Sequence, residues 1–213
     1  MNIFCDNPRD IETQSFALIR RQLDLKTFNL LEEQVALRMV HACGDLDIVS
    51  SLRFSNFRMD RILDVINNSQ SLVLCDCEMV KQGISRQFWT KPVKCYLNEA
   101  EVMTRAQHLN KTRSMIALDH WSADLSQAVV IIGNAPTALF RLLELLEQGA
   151  PAPPLMIAVP VGFVGAQESK QALWNYAHQR QLPTITLLGR KGGSAMACAA
   201  FNALSRYAQG LYY

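Results

Sequence analysis

The sequence AVVIIG at residues 128–133 is a short run of mostly branched apolar residues, and it leads into the glycine-containing turn GNAPT at 133–137. Two later runs have the same form, LMIAVP at 155–160 and TITLLG at 184–189. Apolar runs of this length, bounded by turn residues and alternating with stretches of helical spacing, are typical of buried parallel strands joined by helices. These three runs therefore predict repeated βαβ units.

Two further runs, SLVLC at 71–75 and VKCYL at 93–97, extend the pattern towards the amino terminus. Helices are predicted between and after the strands, at 99–107, 112–121, 137–148, 166–180 and 193–207. Three more are predicted before the first strand, at 9–23, 28–42 and 57–67. The residues expected to form core contacts in the first two are Leu18, Leu23, Leu30, Val35 and Met39. The order predicts an α/β fold, a doubly wound parallel sheet with extra amino-terminal helices, which binds ligands at the carboxyl ends of its strands.

The composition is that of one globular domain, predicted to span residues 1–213. Hydrophobic residues make up 49% of the chain and charged residues 19%, and the net charge of +2 is too small for general nucleic-acid or membrane-surface binding. The first residues, MNIFCDNPRDIE, do not have the pattern of a signal peptide, and no apolar stretch is long enough to cross a bilayer. A cytoplasmic location is expected.

The six cysteines include no C-x-x-C pair. Cys75 and Cys77 are two residues apart in an apparent strand, where they would share one face. Reduced thiols that pack as small apolar residues are therefore favoured over disulfides or a metal site. No metal site is expected.

Three successive strand ends carry glycine-rich turns, in GNAPT, in PVGFVGAQESK at 160–170 and in GRKGGSA at 189–195. Backbone N–H groups near a helix start favour an anion such as a carboxylate or phosphate, although each loop could also be a simple tight turn. The candidate binding residues in these loops are Gly133, Asn134, Gly162, Arg190, Lys191, Gly192, Gly193 and Ser194. The loops lack the spacing of the P-loop and of the dinucleotide-binding motif, and Asp119-His120 lacks the spacing of a cobalt-ligating cobalamin loop.

A second group of candidates lies on the amino-terminal helices. Arg38 and His41 are three residues apart and share one helix face, while Ser15 and Arg20 lie on the preceding helix. A lone histidine is more often a surface or core residue, and spacing alone does not distinguish these possibilities. In KTRSM at 111–115, Arg113 and Ser114 are placed near a helix start, where they could hold an acidic group or merely cap the helix.

Seven segments taken in order resemble the precorrin-8X methylmutase family over nearly the whole chain. They are SFALIR (15–20), RMVHACGD (38–45), MVKQGI (79–84), TRSMIA (112–117), GNAPTALF (133–140), PVGFVGAQESK (160–170) and GRKGGSAMACAAFNAL (189–204). The resemblance implies a three-layer, flavodoxin-like α/β/α domain, a homodimer and an isomerase of cobalamin biosynthesis. The implied reaction moves a methyl group from C-11 to C-12 of precorrin-8X, or of cobalt-precorrin-8, giving hydrogenobyrinic or cobyrinic acid without a cofactor.

The resemblance also implies roles for individual residues. The histidine of RMVHACGD, which donates and recovers a proton in the family, is His41. Ser15, Arg38, Arg113 and Ser114 match substrate-contacting positions. An imidazole suits a proton that is given and taken back, and scattered arginines and glycine loops suit a large ring with many carboxylate arms. Two positions depart from the family. After the histidine the family has small or hydroxylated residues, where this chain has Ala42-Cys43, and after TRS it has small residues, where this chain has Met115-Ile116.

Three hypotheses are compatible with these features. The first is the isomerase, with a tetrapyrrole substrate bearing several carboxylates and with possible handover of product to adjacent pathway enzymes. The second is a corrinoid-binding carrier in the same pathway that performs no catalysis. The third is a nucleotide- or flavin-binding module of similar fold, against which the missing motifs count.

Overall fold

A six-stranded sheet lies at the centre of the protein in the computed structural model, which describes residues 6–213 apart from the side chain of Arg9. Cys5 is therefore outside the described residues. The strands are β1 Leu52–Ser55, β2 Leu72–Cys75, β3 Val93–Lys94, β4 Ala128–Ile132, β5 Leu155–Ala158 and β6 Thr184–Leu187. The α-helices are α1 Pro8–Gln22, α2 Leu30–Cys43, α3 Met59–Asn67, α4 Glu78–Gly83, α5 Ala100–His108, α6 Arg113–Ala117, α7 Pro136–Glu147, α8 Ala166–Arg180 and α9 Ser194–Tyr207.

The strand order across the sheet is β1-β6-β5-β4-β2-β3. Strands β2 to β6 are parallel, and β1 pairs antiparallel with β6 at one edge. If the five parallel strands are numbered among themselves, their order is 2-1-3-4-5, which is the flavodoxin-like order. Its topological switch point lies between β2 and β4, and ligands in such sheets bind beside the carboxyl ends of the strands there.

Both faces of the sheet are buried because alternate strand residues point to opposite sides. Val129 and Ile131 of β4 pack with α2, α3 and α9 in one core cluster. Val130 and Ile132 pack on the other side with α7 and α8. These are the two helical layers of a three-layer α/β/α fold, and α2 packs most extensively against α9.

Helix α2 has well-defined ends, and they place His41 in its last turn. Asn29 caps the first turn by accepting hydrogen bonds from the N–H groups of Leu31 and Glu32, while the Glu32 carboxylate accepts from the N–H of Asn29. This reciprocal capping box begins the helix, and Gly44 ends it in a left-handed conformation with φ of +67°. His41 consequently lies in the final turn, three residues before the glycine.

The predicted α/β architecture is confirmed, with several local differences. Strand β1 was not predicted, because LRFS is short and lies at the sheet edge beside the last strand. The predicted strand at 93–97 is only two residues long, and the predicted helix at 112–121 is α6 followed by a 3₁₀ turn at Leu118–His120. Helix α4 was also not predicted.

Two of the expected core contacts are wrong. Val35 and Met39 are fully buried, whereas 55% of Leu18 and 49% of Leu30 is exposed. Helix α1 packs mainly on α2, so much of its surface faces solvent, and Leu30 is the first residue of α2. Within the described part of the chain, no helix is both long and apolar enough to span a membrane.

Candidate active site

The side chains of Ser15 and His41 meet where α1 crosses α2. The Ser15 hydroxyl and the His41 Nδ1 atom are 2.9 Å apart, which is a hydrogen-bond distance. The Phe16 ring stacks on the imidazole with 4.9 Å between the ring centroids and 28° between the planes. The hydrogen bond occupies Nδ1 and the stack fixes the plane of the ring, so Nε2 is left for a reacting partner.

His41 and Arg38 border an open cavity of about 330 Å³. Helix α2 forms one wall, α4 a second and the first turns of α9 a third. The other lining residues are Ala42, Met79, Gly83, Ser194, Ala195, Cys198, Ala199 and Asn202. The lining is largely apolar with a few polar groups, which is the usual character of an organic ligand site.

The environment of His41 favours the neutral imidazole. Burial lowers the pKa of His41 from its ordinary value near 6.5, and the Arg38 guanidinium lowers it further by repelling the imidazolium. The Glu12 carboxylate of α1 acts in the opposite direction and offsets part of this effect. An imidazolium held in this way is a better proton donor than a free one, and the neutral ring remains able to accept a proton.

The cavity also contains a thiol, on Cys198 of α9. Burial raises the pKa of Cys198 to about 12, so the group stays protonated at neutral pH. A nucleophilic cysteine requires a thiolate, which this environment disfavours. Among the groups that line the cavity, His41 is therefore the best suited to exchange a proton.

The backbone N–H groups of Gly133 and Asn134, which were predicted to bind an anion of the substrate, donate to a carboxylate of the chain itself. Buried Asp76, which follows β2, accepts hydrogen bonds from the N–H groups of Gly133, Asn134 and Ala135 at 3.0, 2.9 and 2.7 Å. Burial raises the pKa of Asp76, and these three donors offset part of the rise. The donors at the switch point are thus occupied by an internal carboxylate, which leaves only the exposed Asn134 side chain for a ligand.

Gly133 instead allows close packing between β4 and α9. A Cβ atom at this position would lie 2.9 Å from Cα of Ser194 and 2.9 Å from Cγ2 of Val80, closer than real side chains approach. The glycine therefore brings the start of α9 against the end of β4, and with it Ser194. Its role is positional, through the helix that forms one wall of the cavity.

The two later glycine loops bind each other. The N–H of Gly162 donates to the Arg190 carbonyl at 3.2 Å, and the N–H of Gly193 donates to the Val159 carbonyl at 2.8 Å. These two N–H groups, which were predicted to bind substrate, are therefore also hydrogen-bonded within the chain. Gly192 has φ of +155°, and a Cβ atom there would overlap the Val159 carbonyl oxygen.

A buried lysine contacts the loop between β6 and α9. Lys170, the last residue of the PVGFVGAQESK segment, is fully buried, and its ammonium donates to the Lys191 carbonyl at 2.5 Å. Burial lowers the pKa of Lys170 to about 8. The Lys191 side chain points away from it and donates to Asp45 at 2.5 Å.

Arg190 and Lys191 do not line the His41 cavity. Both border a separate cavity of about 510 Å³ together with Asp47 and Ser50. Arg190 is exposed, and its guanidinium lies 5.7 Å from the centroid of the Phe163 ring. The exposed arginine is free to meet an anionic arm, whereas Lys191 must first leave Asp45.

Arg113 and Ser114 are also apart from His41. Thr112 caps α6 by accepting from the N–H of Met115, and Arg113 donates to the Asn98 side chain at 3.3 Å. Arg113 lines a cavity of about 430 Å³ beside α5, and Ser114 is buried. Within one chain, the predicted site is therefore assembled only in part, from Ser15, Arg38, His41 and Ser194.

Several residues of the site were not predicted. Phe16 stacks on His41, and Tyr213 contacts Phe16 in turn with 4.4 Å between ring centroids. Cys198 and Asn202 line the cavity one and two turns after Ser194. Their spacing of four residues is the signal that could have placed them on the same face of α9. Nothing in the sequence near Tyr213 indicates its contact.

Comparison with known proteins gives one consistent result. The precorrin-8X methylmutase family profile matches residues 10–207. A precorrin-8X methylmutase of Pseudomonas aeruginosa is 47% identical over 92% of this chain and 93% of its own length. A cobalt-precorrin-8 methylmutase of Priestia megaterium is 34% identical over 93% of this chain and 87% of its own. The solved precorrin-8X methylmutase of Thermus thermophilus superposes with a TM-score of 0.82 at 34% identity, covering 95% of this chain and 98% of that one.

Proposed function

The chain belongs to the precorrin-8X methylmutase family, and from this premise we propose that His41 exchanges the proton that assists the methyl shift. The enzyme is an isomerase of corrin biosynthesis and acts on a precorrin tetrapyrrole. A carrier that binds the ring without catalysis has no support, because the relatives compared above are mutases.

In the proposed mechanism the imidazolium of His41 donates a proton to the tetrapyrrole, which becomes more electron-poor. The methyl group then migrates with its bonding electrons from C-11 to the adjacent C-12, and neutral His41 takes the proton back. No proton or electron is gained or lost over the cycle. The supporting observation is the fixed imidazole, held by Ser15 and Phe16 at the edge of the cavity.

The lowered pKa of His41 suits this exchange. A ring that loses its proton readily is a strong donor when charged, and it is neutral for the return step. Arg38, beside the same cavity, would bind one carboxylate arm of the substrate. We propose that Ser15 and Ser194 contact the bound ring there, and that Arg190 and the Asn134 side chain bind further arms over the neighbouring surface.

We propose the metal-free ring as the preferred substrate. The relatives named precorrin-8X methylmutase are 47% and 42% identical to this chain, whereas the compared cobalt-precorrin-8 methylmutases are at most 34% identical. The chemistry above does not require cobalt, since the proton acts on the macrocycle itself.

The test is conversion of precorrin-8X by the wild type and by His41→Ala, followed through the visible spectrum of the product. We expect the variant to lose at least about a hundredfold in kcat, a typical contribution of a positioned acid–base group. His108→Ala is the matched control, because His108 is exposed at the end of α5 and lines none of the cavities near His41.

Conversion by His41→Ala at the wild-type rate would contradict the role of His41. Binding of precorrin-8X without conversion by the wild type would contradict the enzyme itself. A parallel assay with cobalt-precorrin-8 tests the preference, and we expect a lower kcat/KM for that ring. An equal or higher value would reverse the substrate proposal.

We further propose that residues 1–213 form a single functional domain, that the enzyme is a homodimer located in the cytoplasm, and that product passes to adjacent pathway enzymes. Support for the dimer comes from large apolar side chains on the surface outside the His41 cavity, since 85% of Phe163 and 90% of Val164 is exposed. The dimer proposal also fits the positions of Arg113 and Ser114, which lie outside the His41 cavity of their own chain.

A further inference from the structure

We propose that Tyr213 is a positioning residue for His41, whose aromatic ring holds Phe16 against the imidazole and holds Arg38 beside the cavity. The inference rests on the proposed role of His41 and extends it. No motif of the sequence includes Tyr213, and the residue does not line the His41 cavity. It would act through the two side chains that it contacts.

The segment after α9 turns back towards the amino-terminal helices. Gly210 has φ of +74°, and the N–H of Leu211 donates to the Arg206 carbonyl, which reverses the direction of the chain. The backbone of Tyr213 is then fixed at both ends of the residue. Its N–H donates to the buried Gln34 side chain at 2.6 Å, and its carbonyl accepts from Arg20 at 2.7 Å.

The ring of Tyr213 begins a row of three rings in contact, of which the Tyr213–Phe16 pair is tilted and the Phe16–His41 pair is stacked. It lies 4.4 Å from the Phe16 ring, and Phe16 lies 4.9 Å from the imidazole of His41. The Arg38 guanidinium is 5.5 Å from the Tyr213 centroid and the Arg206 guanidinium 4.4 Å, both at cation–π distances. One aromatic ring thus contacts the residue that orients His41 and the arginine that repels its charged form.

Removal of this ring has a predictable electrostatic effect. Phe16 and Tyr213 also line a cavity of about 270 Å³ on the α1 side. Loss of the Tyr213 ring would therefore admit water from this cavity towards Phe16 and the imidazole. Arg38 would lose the aromatic face over which its guanidinium lies. Weaker burial and a more distant cation both favour the imidazolium, so the pKa of His41 should rise.

Other charged and titratable groups also face His41. Glu12 and Ser15 face it from α1, and Cys198 borders its cavity from α9. Arg206 acts indirectly, because its guanidinium pairs with Glu12 at 3.1 Å. The Glu12 carboxylate raises the pKa of His41, so its movement away from the imidazole would lower that pKa. This change is opposite to the one expected from loss of the Tyr213 ring.

The experiment compares Tyr213→Leu with Tyr213→Phe and with Tyr212→Leu. Tyr212 is the matched control, because it is the adjacent tyrosine but contacts Tyr207 at 5.0 Å instead of Phe16. The pKa of His41 is measured by NMR titration, and kcat and KM are measured against pH. For Tyr213→Leu we expect a raised His41 pKa, an alkaline limb of kcat shifted upwards and kcat at the optimum reduced roughly tenfold, as for a misplaced catalytic group.

Tyr213→Phe keeps the ring and should restore the wild-type values, and Tyr212→Leu should match the wild type. Wild-type kcat and an unchanged His41 pKa in Tyr213→Leu would overturn the inference, as would an equal loss in Tyr213→Phe. Circular dichroism and the unfolding midpoint establish folding, and Tyr213→Met replaces the leucine variant if that one does not fold. The NMR titration needs no turnover, so it reports on the positioning of His41 independently of the reaction.

The two proposals can therefore fail separately. Wild-type activity in His41→Ala would contradict the proposed function, whereas an inactive His41→Ala with an unaffected Tyr213→Leu would contradict only the positioning role of Tyr213.

Discussion

Single residues show how much of the candidate site could be predicted from the sequence. His41, Arg38 and Ser15 were found because they lie in short segments whose order along the chain resembles the family. Gly133 and Asn134 were assigned N–H donors for the substrate, but Asp76 already accepts those bonds. A sequence shows that donors exist at a loop and does not show which acceptor meets them.

The carboxylate of Asp76 provides a prediction at this scale. Both of its oxygens accept backbone N–H groups, so in Asp76→Asn an amide NH₂ would oppose at least one donor. We expect the free energy of unfolding to fall by about 2–4 kcal/mol, from lost charge-assisted bonds and unpaired buried donors. The measurement is urea denaturation at pH 7.

Asp60→Asn is its control, because Asp60 is exposed and pairs with the neighbouring Arg58 side chain. Exposed ion pairs contribute about 0–1 kcal/mol, so this variant should differ little from the wild type. A loss in Asp76→Asn no larger than that in Asp60→Asn would mean that the loop does not depend on the internal anion.

At the scale of elements, the strands of the parallel sheet were predicted better than the boundaries around them. Runs such as AVVIIG are buried on both faces, and burial of that kind produces the uninterrupted apolar pattern. Strand β1 has no such pattern, because it pairs only with β6 at the edge of the sheet. Its partner is more than a hundred residues away in sequence, beyond the reach of local pattern.

The loop between β6 and α9 provides a prediction at this scale. In Gly192→Ala the new methyl group would overlap the Val159 carbonyl, which also accepts the N–H of Gly193. The loop must therefore move, and Ser194 at the cavity with it. We expect KM for precorrin-8X to rise roughly tenfold or kcat to fall by a similar factor, as for a displaced binding group.

Gly189→Ala separates backbone strain from displacement. Gly189 lies in the same loop with φ of +83°, but a Cβ atom there would meet no neighbour within 4 Å. Its substitution should cost about 1–2 kcal/mol of left-handed strain with a smaller effect on turnover. Equal kinetic effects of the two substitutions would indicate that strain, rather than contact with Val159, controls the loop.

The molecule as a whole has the predicted three layers, but its site is not where the strand ends alone would place it. Asp76 occupies the donors at the switch point, and the His41 cavity is bordered by α2, α4 and α9. The helices before the sheet were predicted as additions to the fold. As predicted, one of them carries His41, and packing of α2 on α9 brings this histidine to the carboxyl side of the sheet.

The homodimer is tested at the same scale. Sedimentation equilibrium at micromolar concentration should give a mass of twice the 23.9 kDa chain. Phe163→Ser and Val164→Ser should then report whether this exposed apolar loop contributes to association, with Leu18→Ser on α1 as an exposed apolar control. A single-chain mass for the wild type across the concentration range would contradict the dimer.

The packing of α2 on α9 also affects the order in which the protein can fold during its synthesis. The apolar face of α2 leaves the ribosome early, but its main partner begins only at Ser194. At about 5–20 residues per second, the intervening chain takes roughly 8 to 30 s to make. For that interval α2 lacks its main packing partner, so we expect chaperones to bind nascent chains of this enzyme until α9 emerges.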